Sequence, residues 1–223
     1  MKAFKIFIAL SICVTTLSCQ SQTGDQRKTT KQFKPITRYG FTTDSLLKHV
    51  KTISSDAFEG RRTGTPGAVK AKTYILNAFK ALEVKPLGES FEQPFSFKSA
   101  IKTYNAVNVL GLINGTDHTD KYIVISAHYD HEGIKNGKIY NGADDNASGV
   151  GALIAFAEYF KTNPPKHNVI LAAFDGEELG LKGAFYYVDN PIVGLKNIVL
   201  NLNLDMISRS DGQELFAVGS RYA

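Results

Sequence analysis

The sequence predicts an α/β protein: a three-layer αβα sandwich around a mixed, mainly parallel central sheet. Three observations carry that reading. Tyr122–Ala127 (YIVISA), Asn168–Phe174 (NVILAAF) and Asn197–Leu204 (NIVLNLNL) are apolar runs of strand length, the pattern of strands covered on both faces. Helical stretches around Ala147–Lys161 and Glu178–Val188 separate them. Alternation of this kind builds parallel strand pairs through crossover helices.

Taken in order, the chain begins Met-Lys-Ala-Phe-Lys, followed by an apolar run from Ile6 to Ser18. Its thirteen residues are fewer than the roughly 20 that span a bilayer but suit a signal-peptide core, so residues 1–18 read as an export signal. The run closes on Thr16-Leu17-Ser18-Cys19, which resembles a bacterial lipoprotein cleavage box. That resemblance makes Cys19 the lipidated first residue of the mature chain. It also implies membrane attachment through an N-terminal lipid, at the periplasmic or outer-membrane surface of a Gram-negative bacterium. Residues 19–38, polar and rich in Gln, Thr and Lys, read as a flexible tether, leaving 39–223 as the folded body. Both cysteines, Cys13 and Cys19, fall in the leader segment, so a metal in the body must rest on His, Asp and Glu.

The net charge of +5 is a property of the same segment. Residues 1–38 hold seven Lys or Arg and one acid, leaving 19 basic and 20 acidic groups in the body. A body so close to neutral gives no support to a nucleic-acid partner.

Within the body, Leu46, Leu47, Val50 and Ile53 recur at helical spacing over 43–55, with Thr43 or Ser45 as cap. A Gly- and Pro-rich loop, 56–67, precedes a second helix over Ala68–Leu82. Phe91–Phe97 and Tyr104–Ile113 read as strands, and Leu215–Val218 as a last one.

The chemistry sits where the strands end. Ligands of open α/β sheets bind beyond the carboxyl ends of the strands. YIVISA runs into His128-Tyr-Asp130-His131, NVILAAF into Asp175-Gly-Glu177-Glu178, and NIVLNLNL into Asp205. A further cluster, Gly142-Ala-Asp144-Asp145-Asn-Ala-Ser-Gly149, opens the helix after the first of these strands. A single carboxylate cluster is an ordinary solvated cap. Four at one sheet edge crowd negative charge, which favours raised pKa values or a bound cation. Histidine with carboxylates and no thiolate suits Zn²⁺ or a similar divalent ion.

The motifs SAHYDH, GADDNASG, FDGEELGLKG and NLDM, in that order, resemble the co-catalytic di-zinc aminopeptidase family, as does the approach segment Ser55–Gly67. The resemblance implies a zinc-exopeptidase fold with two Zn²⁺ ions and peptide substrates. It makes His128, Asp145 and Asp205 ligands of one zinc, and Asp145 with Glu178 ligands of the other. Glu177 would be the general base, and the Asp130 carboxylate would hold the other ring N–H of His128. The peptide bond after Asp145 would be cis. His131 would line the pocket, while His49, His118 and His167 would be solvated. A fifth ligand, a histidine well beyond Asp205, has no counterpart, since no His follows His167. This predicts that the chain is a fragment of a longer product, inactive alone, rather than a degenerate relative. The alternatives are a glutaminyl cyclase on the same fold and a metal-deficient binding protein. Side-chain preference and oligomeric state are not legible.

Overall fold

The computed structural model describes residues 42–117, 119–212 and 214–219. The expected leader, the lipidated Cys19, the tether and His118 lie outside the described residues. Four helices, α1 (Thr43–Ile53), α2 (Pro66–Ala81), α3 (Gly149–Thr162) and α4 (Lys182–Asp189), accompany eight strands. The strands are β1 (Lys85–Pro86), β2 (Glu92–Ser99), β3 (Lys102–Ile113), β4 (Tyr122–His128), β5 (Gly133–Lys135), β6 (Lys138–Tyr140), β7 (Asn168–Phe174) and β8 (Ile198–Asn203).

Six strands form a mixed sheet in the order β1-β3-β7-β4-β8, with β2 also paired to β3. The three apolar runs are parallel neighbours: β4 lies between β7 and β8 and pairs with each in parallel. β3 is antiparallel to β7, and β2 to β3, which makes the sheet mixed. Two apolar clusters show the layers. Ile53, Ala71, Ile75, Phe79, Leu153 and Ile154 pack with Ile125 and Leu171 on one face of the sheet. Leu110, Val124, Ile170 and Ala172 meet Tyr187 of α4 on the other. The three-layer αβα arrangement is therefore present.

Local chemistry sets the helix starts. Thr42, one residue ahead of the expected caps, accepts a hydrogen bond from the Ser45 N–H at 3.1 Å and opens α1. Thr65 caps α2, and Pro66 occupies its first turn, where no N–H is needed. α4 begins at Lys182 rather than near Glu178. Gly176 and Gly180 lie at φ +74° and +99°, and Leu181 at +56°, so residues 176–181 form turns instead of helix. The Gly180 and Leu181 N–H groups both donate to the Glu177 carbonyl, at 2.8 and 2.9 Å.

Two further differences stand out. The expected strand Leu215–Val218 forms no ladder: residues 215–217 are irregular and Val218 enters a turn. Apolar composition makes a strand only where a neighbouring strand supplies hydrogen bonds. Conversely, the β5–β6 hairpin turns on Asn136-Gly137, both at positive φ (50° and 74°), an Asn-Gly hairpin signal readable in the sequence.

Candidate metal centre

The carboxyl ends of β4, β7 and β8 lie side by side, and the chain leaves each into a residue with a charged or ligating side chain. His128 is the last residue of β4, only 4% exposed. Its Nε2 stands 3.2 Å from Asp145 Oδ1, 3.4 Å from Asp205 Oδ1 and 4.0 Å from Glu177 Oε2. Burial alone would pull this imidazole's pKa down, but the Asp130 carboxylate, with Glu177 and Asp205, outweighs it and raises the pKa to about 9.

A second group lies across Asp145. His131 Nδ1 is 2.7 Å from Glu178 Oε1 and 3.7 Å from Asp145 Oδ2. Asp145 thus turns one oxygen toward His128 and the other toward His131. Within each trio, His128/Asp145/Asp205 and His131/Asp145/Glu178, one donor atom per residue lies within 4.8 Å of the others. Glu177 belongs to neither trio. Its pKa is raised, first by burial and then by the like charges of Asp130, Glu178 and Asp205, with His128 opposing. Burial likewise raises Glu178, helped by Asp145.

Backbone geometry fixes the Asp145 carboxylate. Residues 143–148 form an irregular turn, with the Asp145–Asn146 peptide bond cis, as the resemblance implied. Gly142 precedes it at φ +54°. A Cβ there would run into the Asp145 carbonyl and stand 2.5 Å from the His131 ring, so only glycine fits. Asn146, fully buried, joins this turn to the end of β8: its Nδ2 donates to the Leu204 carbonyl at 2.9 Å and its Oδ1 accepts from Gly149 N–H at 3.0 Å. Asp144 accepts from the Ser208 N–H and hydroxyl at 3.0 and 2.7 Å, tying down the segment after Asp205.

Asp130 makes contacts beyond the expected one with the His128 ring. His128 Nδ1 faces the Asp130 backbone carbonyl at 3.1 Å, while the carboxylate stands 3.7 Å away. The carboxylate also accepts the N–H groups of Glu177 and Glu178, at 3.0 and 3.2 Å. Asp130 therefore positions the turn that carries both acids.

Two further residues, Arg61 and Thr63, carry no motif in the sequence yet sit at the centre. Arg61 is fully buried and donates to the carbonyls of Ile53 (3.0 Å), Tyr129 (2.9 Å), Asn141 (2.7 Å) and Gly142 (3.0 Å). Burial lowers its pKa to about 10, still high enough to hold the charge at neutral pH. Thr63 stands between the carboxylates of Asp130 and Asp175. Neither carries a spacing signal: Arg61 is held by backbone carbonyls and Thr63 by two carboxylates, most of them remote in sequence, and only the approach segment Ser55–Gly67 marks the loop. His49, expected to be solvated, has Nδ1 2.8 Å from the Tyr74 hydroxyl and Nε2 3.6 Å from Glu158, between α1, α2 and α3.

The donor set, two histidines and carboxylates sharing one bridging carboxylate, fits a pair of borderline divalent ions. The family profile described as "Peptidase family M28" matches residues 108–223. The alkaline phosphatase isozyme conversion protein of Escherichia coli is 28% identical over 185 residues, covering 75% of this chain and 51% of its own. Aminopeptidase YwaD of Bacillus subtilis is 31% identical over 129 residues, 55% of this chain and 27% of its own. The chain thus spans about half the length of the first of these relatives and about a quarter of the second. A Zn-dependent exopeptidase from Parabacteroides distasonis superposes with TM-score 0.64 at 23% identity, covering 75% of this chain and 62% of that one. A glutaminyl cyclase from Bacteroides thetaiotaomicron superposes with TM-score 0.62 at 24% identity, covering the same shares. At those identities both likenesses speak for the fold alone.

Proposed function

From the premise that the chain belongs to peptidase family M28, we propose that it is a zinc-dependent exopeptidase removing amino-terminal residues from peptides, with Glu177 as general base. The observation that carries the proposal is the arrangement around Asp145: two histidine–carboxylate trios share this one carboxylate, and Glu177 stands beside them without belonging to either. His128, Asp145 and Asp205 would hold one zinc, and Asp145 with Glu178 another. Bound zinc supplies Lewis acidity, polarising a carbonyl and lowering the pKa of a water.

The chain's own residues supply the rest. Glu177 takes the proton from the attacking water and delivers it to the departing amine. Its raised pKa brings it closer to working pH than an ordinary carboxylate. Asp130 keeps the Glu177–Glu178 turn in register, so base and ligand hold a constant separation. The Cys19 lipid anchor and the periplasmic or outer-membrane address belong to the same proposal, as they suit a scavenger of exported peptides.

The test is Glu177→Gln. We expect turnover of an aminoacyl-nitroanilide to fall by at least about 100-fold, the scale of general-base catalysis, with zinc content unchanged. Loss of zinc together with activity would make Glu177 a ligand and overturn the assignment. A glutaminyl cyclase would instead release ammonia from an N-terminal glutamine peptide.

A further inference from the structure

We propose that a cavity between the approach loop and the β5–β6 hairpin receives the side-chain carboxylate of the peptide's first residue, so that the substrates are peptides beginning with Asp or Glu. The proposal rests on the exopeptidase reading above and names its substrate class. The cavity measures about 450 Å³ and is lined by Arg62, Glu132, Ile134, Lys135 and Glu178. That volume falls within the range of small-molecule sites, roughly 300–1,000 Å³. Through Glu178 the cavity adjoins the metal centre, where an exopeptidase holds the terminal residue. Lys135 is near enough for its charge to act on Glu178. Ile134 is the only apolar side chain in the lining.

Charge decides what fits. Arg62 and Lys135 bring two cations to the cavity, and with Glu178 committed to zinc one anion is left to answer them. The Glu132 carboxylate pairs with Lys135 and stands 3.9 Å from Arg62 Nη1. Arg62 Nη1 also donates to the Glu132 carbonyl at 3.3 Å, but among the described residues Arg62 Nε and Nη2 have no partner. Two adjacent guanidinium donors form a fork that matches a carboxylate. An apolar side chain placed there would strip water from both cations and offer neither a hydrogen bond. The cations are also held in place. Gly133 lies at φ +77°, and a Cβ on it would stand 2.6 Å from the Arg62 Cβ, so the stem of Arg62 packs directly on glycine backbone. Lys135 stands opposite Lys138 across the hairpin. Like charges in that position destabilise a hairpin, and such departures from local stability are expected at functional sites.

The test is calorimetric binding to the full chain equilibrated with zinc and carrying Glu177→Gln, so that the peptides stay uncut. Glu-Ala-Ala-amide and Gln-Ala-Ala-amide differ in the charge of the first side chain and have no carboxyl terminus. We expect the glutamate peptide to bind roughly 10–100-fold more tightly, the scale of hydrogen bonds to a charged group. Adding Arg62→Gln should abolish that difference and leave the affinity for the glutamine peptide as it was; adding Lys135→Gln should reduce it. Equal affinities, a preference that survives Arg62→Gln, or no binding of either peptide overturns the proposal. So does tighter binding of acetyl-Ala-Ala-Ala through its carboxylate, lost in Arg62→Gln, which would place a carboxyl terminus in the cavity. The two readings fail separately. A chain that shows the preference yet, with Glu177 restored, cleaves neither peptide refutes the peptidase reading and leaves the cavity assignment standing. A chain that cleaves both peptides with equal kcat/KM does the reverse.

Discussion

Thr63 has one hydroxyl proton, yet its Oγ1 stands 2.8 Å from Asp175 Oδ1 and 3.1 Å from Asp130 Oδ2. Serving both contacts takes a second proton, and Asp175 is placed to carry it. Burial and then the Asp130 charge raise its pKa to about 6, against hydrogen bonds from Thr63, the Val107 N–H and the Tyr129 hydroxyl. A carboxyl whose folded pKa is raised favours folding below its unfolded value near 3.8, and that contribution is lost as pH rises through about 6. Asp175→Asn keeps the shape and the donors' acceptor without the charge. From about pH 4 to about pH 7 this variant should gain stability relative to wild type, by up to about 3 kcal/mol, in urea unfolding. An equal pH dependence in the two proteins would place the titration elsewhere. At this scale the motif residues were legible, because ligating types recur where strands end. Arg61, Thr63 and Asn146 were not, since buried polar networks follow the fold and have no period.

Two turns, 142–148 and 175–181, do at the level of elements what single ligands cannot. Each pins an acid by backbone contacts: Arg61 holds the first at Asn141 and Gly142, and Asp130 holds the second at Glu177 and Glu178. Arg61→Met should destabilise the chain by about 3 kcal/mol or more, because several buried carbonyls lose a charged donor together. Arg61→Lys should recover only part, its single ammonium being unable to reach all four. Urea midpoints of the two variants check the order; equal losses would mean that packing rather than the fork of donors matters. Elements read well where period and burial agreed: β7 has the expected bounds, Asn168–Phe174. They read poorly where a partner decides, as for Leu215–Val218, and where positive-φ residues cut a helix short, as before α4.

At the scale of the whole molecule, β8 presents apolar side chains at an exposed edge of the sheet. Among the described residues it pairs with β4 alone, and Val199, Leu200 and Leu202 are 56%, 56% and 44% exposed. An apolar edge strand with unpaired backbone groups is a template for association. Val199→Lys should lower the scattering mass of concentrated solutions without moving the unfolding midpoint by more than about 0.5 kcal/mol. Unchanged association would show that the edge is not the sticky surface. Arg61 has a consequence in time as well as in space. Synthesis proceeds from the amino end, and the guanidinium exists long before the Gly142 carbonyl that it will hold, 81 residues further on. Until residues 129–142 have left the ribosome, the Arg61 guanidinium has only the Ile53 carbonyl of those it holds in the finished chain, and the approach loop lacks the partners that close it. Closure of the segment that carries no ligand must therefore await translation of the segment that carries most of them.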